Sequence, residues 1–299
     1  AIVHAGPFGN IAHGCNSVLA TRLGLLTGDY VVTEAGFGLD LGGEKFLDIK
    51  CRQMGVFPRM LVLVVTLRAL KMHGGVAVKA AGEPNPAALE KGLSHLEKHL
   101  ETAAFFGLPA VVAINVFPND TEEEVALVDA ATRRRGVRAA RGDGGARGGE
   151  GALDLARLVI ETADSTDAAP PAPRFAYELT DAPREKIRKI AATVYGASEV
   201  HFTGRADKDF ERIEKLGASN LPVCMAKTQL SLTDDPAIPG RPRDFAITVR
   251  EVRLSAGAGF MVPLTGDMMT MPGLPREPAV LRVKLLPNGK IRGLMQNDD

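Results

Sequence analysis

The chain has 299 residues, 45% of them hydrophobic and 24% charged, with 36 basic side chains balancing 36 acidic ones. That is enough for one large domain or two ordinary ones with proper cores, and the charge balance leaves no electrostatic footprint for nucleic acid or an anionic membrane. Cys15, Cys51 and Cys224 form no CxxC pair, which argues against a disulfide framework or a thiolate metal site and for a reducing compartment. No apolar run reaches the roughly 18 residues of a membrane span. AIVHAGPFGNIAHG lacks the basic lead and compact apolar core of a signal peptide. The expectation is a cytoplasmic protein without a metal ligand set.

Ile2–Val3 read as the tail of a strand already under way, as in a cut chain. HAGPFGNIAHGCNS (4–17) surrounds two histidines and two asparagines with small residues, which suits backbone that approaches something closely. VVTEAGFG (31–38) begins as a strand and runs into EAGFGLDLGGEKF (34–46), four glycines with Glu34, Asp40, Glu44 and Lys45 nearby. That run is not a P-loop: Glu44 separates Gly43 from Lys45, and Phe46 stands where Ser or Thr is required.

LVLVVT (61–66) and AVVAINVF (110–117) are continuous branched apolar runs, expected as strands buried on both faces. Between them Leu89, Leu93, Leu96 and Leu100 fall at helical spacing within 86–107, and Gly107 and Pro109 stop the helix. Strand, helix, strand implies a parallel βαβ unit with ligands at the carboxyl ends of its strands. There LRALKMHGG places Arg68, Lys71 and His73, a cluster suited to an anion, and PNDT offers Asp120 or Thr121 as the next helix cap. His95 and His99 share the i, i+4 spacing of a chelating pair, with a solvated helix face as the expected outcome.

From residue 131 the composition changes. ATRRRGVRAARGDGGARGGEG (131–151) has no apolar period and reads as a mobile loop, and DSTDAAPPAPR (164–174) as a Pro-rich joint. Amphipathic helices follow over 184–196 and 206–217. LPVCMAKTQ, FAITVREVRLS, MVPLTG and VLRVKLLPNGKIRGL read as short strands, with Asn288–Gly289 as a two-residue hairpin turn.

Taken together, HAGPFGNIAHGCNSVLAT, DYVVTEAGFGLDLGGEKFLDIKCR, LRALKMHGG, LPAVVAINVFPNDT, RGGEGALDLA, LPVCMAKTQLSL, FAITVREVRLSAGAGF and MTMPGLP resemble formate–tetrahydrofolate ligase, in that family's order and over essentially the whole chain. The resemblance implies an α/β fold: a remnant of a P-loop-type parallel sheet followed by an α+β domain. Residues 1–115 would belong to the nucleotide and formyl-phosphate domain and 116–299 to the folate-cleft domain. It implies ATP, Mg²⁺, a monovalent cation (K⁺ or NH₄⁺), formate and tetrahydrofolate as reactants and cofactors, and a homo-oligomer at full length.

By the same resemblance Phe117, in AINVF, would stack on the pterin, and Phe37 would form another wall of the cleft. Arg68, Lys71 and His73, with Lys227, Thr228 and Gln229 and with Met271, Pro272, Gly273, Leu274 and Pro275, would lie in loops around folate and nucleotide. Three departures stand out. The family's phosphate loop and formyl-phosphate arginine, and with them the catalytic residues, are expected upstream of residue 1, and losing them should leave an apolar face or sheet edge exposed. Gly145 stands where the family has the tryptophan that partners Phe117, and the chain has no Trp. Val64–Val65–Thr66–Leu67–Arg68 departs conservatively from the usual Val-Ala-Thr-Ile/Val-Arg.

Overall fold

Two patterns of winding organise the chain: a parallel βα succession in its first half and a mixed sheet in its second. A computed structural model describes residues 14–165, 172–266, 276–278, 281–289 and 291–293. Residues 1–268 form one compact unit and 269–299 a second.

The first unit opens with α1 (Val18–Thr27), capped by Ser17 Oγ, which accepts from Ala20 N at 3.0 Å. α2 (39–54) is largely π-wound, through Leu39–Gly43 and Phe46–Cys51. Then come β1 (Leu61–Thr66), α3 (Leu67–His73), α4 (Pro86–Phe105), β2 (Ala110–Asn115), α5 (Glu122–Arg134) and β3 (Arg138–Gly142). β1, β2 and β3 are parallel, in that order, with Leu61 opposite Ala110 and Val111 opposite Arg138.

The helical leucines of α4 (Leu89, Leu93, Leu96, Leu100) are all buried against β2, α3 and α5. α3 and α4 approach until backbone meets backbone: a Cβ on Gly92 would lie 1.8 Å from Leu70 O. α5 begins with a complete capping box in which Thr121 Oγ1 accepts from Glu124 N and Glu124 accepts from Thr121 N, so Thr121 is the cap.

Several expectations are corrected here. VVTEAGFG is not a strand; it makes a single bridge, Cys15 to Ala35, before turning into α2. β1 is not buried on both faces: Val64 is 67% exposed, and among the described residues the strand is paired on one side only. β2, flanked by two strands, is buried as expected. The Arg/Gly/Ala-rich run is not a mobile loop. Its start completes α5 and residues 138–142 are β3, because backbone pairing with β2 needs no apolar side chains. α6 (Gly144–Arg147) and α7 (Leu153–Asp164) follow. On α1 and just after it Leu19, Leu23, Leu25, Leu26, Tyr30 and Val32 are exposed.

The second half of this unit contains α8 (Pro183–Ile190), continued by a π turn to Tyr195 and closed by Gly196 at φ +83°; β4 (Glu199–Phe202); α9 (Gly204–Lys215); β5 (Ala246–Ser255); and β6 (Phe260–Thr265). β4 pairs parallel and β6 antiparallel with β5. LPVCMAKTQ runs parallel to β6 through two bridges, at Val223 and Ala226, without becoming a continuous strand. The two sheet systems share α2, whose Phe46, Leu47 and Cys51 enter the core with Ile187, Tyr195, Phe210, Ile247 and Met261.

In the second unit, β7 (Lys284–Leu285) pairs antiparallel with β8 (Ile291–Arg292). The hairpin exists, but its turn is longer than two residues: Leu285 faces Ile291, and Gly289 N donates to Leu286 O with Gly289 at φ +79°. Pro287 and Asn288 therefore occupy the centre of that turn, as proline at its first central position favours. Met271 through Pro275 and most of the Pro-rich joint lie outside the described residues.

Candidate functional site at the carboxyl ends of the parallel strands

Strand β1 passes without a loop into α3, because Thr66 serves as both the last strand residue and the helix cap, its Oγ1 accepting from Ala69 N at 3.1 Å. Arg68 is thereby fixed in the first helical turn at the carboxyl end of β1. β2 ends one strand over, and Phe117 follows it in a tight turn: Phe117 N donates to Asp120 Oδ2 (2.8 Å) and Asp120 N to Phe117 O (2.9 Å). The Arg68 guanidinium lies over the Phe117 ring, 4.4 Å from its centroid. Arg68 Nε is buried without a hydrogen-bond partner.

Lys71 is buried beneath this pair. Its ammonium is 3.1 Å from Glu124 Oε1 and 4.0 Å from Asp120 Oδ1, and donates to Glu83 O at 2.8 Å. Glu124 also accepts from Asn85 N at 2.8 Å. Burial opposes its ionisation, but these donors hold its pKa below the ordinary carboxylate value. Lys71 thus ties α3, α4 and α5 to the turn that presents Phe117.

His73 goes elsewhere. It stacks on His95 with ring centroids 3.5 Å apart, and His95 Nε2 lies 3.1 Å from His99 Nε2. His95 and His99 are therefore packed inward rather than on a solvated face. Gly240 fixes the proton positions: its N–H donates to His73 Nδ1 (3.1 Å), and its carbonyl requires a proton on His95 Nδ1 (3.0 Å). His95 Nε2 must then accept from His99. Burial pushes His73 down to about 4 and His99 down to about 3, so all three imidazoles are neutral at pH 7.

A second polar line runs along α2, four residues at a step. Asp40 Oδ2 lies 3.1 Å from the buried Lys227 ammonium, which also donates to the carbonyls of Thr228 and Ser231. Burial opposes the Asp40 charge and Lys227 restores it, leaving the carboxyl below its usual pKa. Glu44 and Asp48 are less well compensated, with Arg52 Nη2 at 3.7 Å from Asp48 Oδ1. Both Glu44 oxygens and Asp48 Oδ2 are buried without a donor, while Asp48 Oδ1 accepts from Ala176 N at 2.9 Å. Burial, and then the charge of Asp48, pushes Glu44 well above the carboxylate range, and burial raises Asp48 to about 7. The pair holds a proton at neutral pH.

Phe37 sits immediately before α2 at φ +62°, a costly conformation for an aromatic residue, and its ring is 54% exposed. The loop cannot relax easily, because Gly42 packs on it so closely that a Cβ there would lie 2.1 Å from Gly36 O.

The structure therefore brings Arg68 and Phe117 together and sets Lys71 behind them. His73 belongs to the imidazole stack, Lys227 and Thr228 are buried, and Gln229 is exposed. Sequence reading missed Asp48 and the Glu44–Asp48 pair; the i, i+4, i+8 spacing of Asp40, Glu44 and Asp48 was the available signal once the segment is taken as a helix. Among the described residues, no group of three or more His, Cys, Asp or Glu side chains is placed to hold a metal ion, and no helix is long and apolar enough to cross a membrane.

Comparison with known proteins identifies the family. A family profile described as formate–tetrahydrofolate ligase matches residues 1–295. The formate–tetrahydrofolate ligase of Myxococcus xanthus (strain DK1622) is 61% identical over 298 residues, covering 100% of this chain and 54% of that protein. Those of Methylobacterium sp. (strain 4-46) and Methylobacterium nodulans are each 53% identical over 295 residues, 98% of this chain and 52% of theirs. The chain spans about half the length of the curated relatives it matches. With a profile match over residues 1–295 and 61% identity along its whole length to a relative, the chain belongs to the formate–tetrahydrofolate ligase family.

Proposed function

We propose that this chain is the portion carrying the folate cleft, with part of the nucleotide side, of an enzyme that ligates formate to tetrahydrofolate, giving 10-formyltetrahydrofolate, ADP and phosphate by way of formyl phosphate. The observation that carries the proposal is the 61% identity sustained over 298 residues. Formate is a poor acyl donor because its leaving group would be hydroxide. Phosphorylation by ATP supplies a good one, and the folate amine then attacks the carbonyl.

In this reading Phe117 is the stacking wall for the pterin, held by the Asp120 turn, and Phe37 is a second wall. Residues 1–115 would serve the nucleotide and formyl-phosphate side and 116–299 the folate cleft. Met271–Pro275, Thr228 and Gln229 would lie in surrounding loops. ATP, Mg²⁺ and a monovalent cation would act in the complete cytoplasmic enzyme, a homo-oligomer. The described residues offer no cluster suited to the metal.

A second reading is supported by the coverage of about half the relatives' length: the chain alone would be a folate-binding module or an inactive fragment. Isothermal titration with tetrahydrofolate and, separately, with Mg·ATP distinguishes them from an intact enzyme. Folate binding without ATP binding, and ligase activity only after adding the unmatched half of a relative, is the expected result. ATP binding by this chain alone would overturn the assignment of the nucleotide site elsewhere. Absence of folate binding would remove the folate-side role.

A further inference from the structure

Residues 235–241 form an excursion that is held to the rest of the unit through few atoms. Asp235 through Pro239 are exposed, and among the described residues their hydrogen bonds stay within the loop: Ser231 Oγ donates to Ile238 O at 2.6 Å and Ala237 N to Asp235 Oδ1 at 2.8 Å. Gly240 is buried and carries the bonds to α3 and α4, its N–H donating to His73 Nδ1 and its carbonyl accepting from His95 Nδ1. It lies at φ +75°, and a Cβ there would stand 2.9 Å from His73 O, so the fit needs glycine. Arg241, next in the chain, adds a two-pronged pair with Glu101.

The bonds to Gly240 admit neutral imidazoles only. His73 Nδ1 must be bare to accept, so an imidazolium there would set one N–H against another. His95 gives its Nδ1 proton to Gly240 and accepts at Nε2 from His99, so a second proton would face the His99 donor at 3.1 Å. The His73 and His95 rings are 3.5 Å apart, where two positive charges repel. The neighbouring charges do not remove the conflict. Asp40 of α2 favours the imidazolium, but it is paired with Lys227, and Lys227 and Lys98 oppose it. Glu101 is committed to Arg241. Burial is the largest influence on His73, His95 and His99 and holds all three below the ordinary histidine value.

We propose that His73 and His95 form an acid-sensitive latch that pins the 235–241 loop to α3 and α4 at neutral pH and releases it on acidification. In the released state both imidazoles face water and titrate near the ordinary histidine value, about 6.5. Opening then takes up two protons, so its equilibrium constant grows with the square of the proton concentration as pH falls from about 6 toward the folded values. Neither the ring site nor the folate reading enters into this.

The test is hydrogen–deuterium exchange of this chain between about pH 4.5 and 7, resolved by peptide and corrected for the intrinsic pH dependence of exchange. In the parent, the opening constant over 235–241 should rise about 100-fold per pH unit below about pH 6, ahead of α4 and β2. Asparagine puts its amide near the Nδ1 position, so His73→Asn and His95→Asn keep a partner for Gly240 but bind no proton. Each should cut the rise to about tenfold per pH unit, and the double variant should abolish it. A parent loop whose corrected exchange ignores pH overturns the latch, whether or not the variants fold. So does a loop that opens only together with α4 and β2, which is acid unfolding of the whole unit. Variants that keep the parent's slope assign the protons to other groups and overturn it as well.

Discussion

Replacing Lys71 with Met keeps the aliphatic stem and removes the ammonium that Glu124, Asp120 and the Glu83 carbonyl surround. Both ionic side chains of the Lys71–Glu124 pair are 0% exposed. Breaking one partner of such a pair leaves a buried charge and costs about 3–5 kcal/mol. Glu124 keeps the N–H donors of Asn85 and Thr121, so the lower end applies, about 3 kcal/mol. In a unit of this size that corresponds to a fall of roughly 6–12 °C in Tm.

The assay is urea and thermal unfolding at pH 7.5. Glu124 has a depressed folded pKa, so its contribution is fully present above the unfolded value and is lost only as pH falls through the folded one. The double variant Lys71→Met/Glu124→Gln should recover at least about 2 kcal/mol of the loss, since glutamine still accepts from Asn85 N and carries no charge. A Lys71→Met protein that unfolds like the parent yet no longer binds phosphate, ATP or folate would refute the reasoning. Lys71 would then be a ligand residue, as the sequence alone suggested.

Gly92→Ala should destabilise by about 3 kcal/mol, the upper end of overpacking costs, because the new methyl meets the Leu70 carbonyl, and backbone cannot swing aside; urea unfolding with an unchanged m-value checks this. Asp48→Asn should grow steadily more stable relative to the parent as pH rises from about 4 to 7. The Asp48 pKa, raised to about 7, means that in that window the folded parent keeps a proton that the unfolded chain has released, so the parent loses up to about 1.4 kcal/mol per pH unit there. Taking the difference between variant and parent cancels the opposite contribution of the neutral histidines, which lose stability as pH falls below about 6.5. A difference that does not change with pH would mean that Glu44 and Asp48 share no proton.

The local rules of the chain fixed much of this. Leucine spacing marked α4, the capping residues marked α5, branched runs marked β1 and β2, and glycine closed α8 and α9. Each is a signal carried within one turn or one strand, so it survives without knowledge of the rest. The motif strings carried the family for the same reason.

What the sequence could not supply was pairing between distant segments. β3 looked like a loop because an Arg/Ala/Gly strand is held by the backbone of β2, which no periodicity records. The fates of Arg68, Lys71 and His73 diverged because successive turns of α3 face different neighbours: Phe117, Glu124 and His95. A lysine and an arginine three residues apart look alike in a sequence. Only the packed structure decided that one is buried against a carboxylate and that the other lies over an aromatic ring.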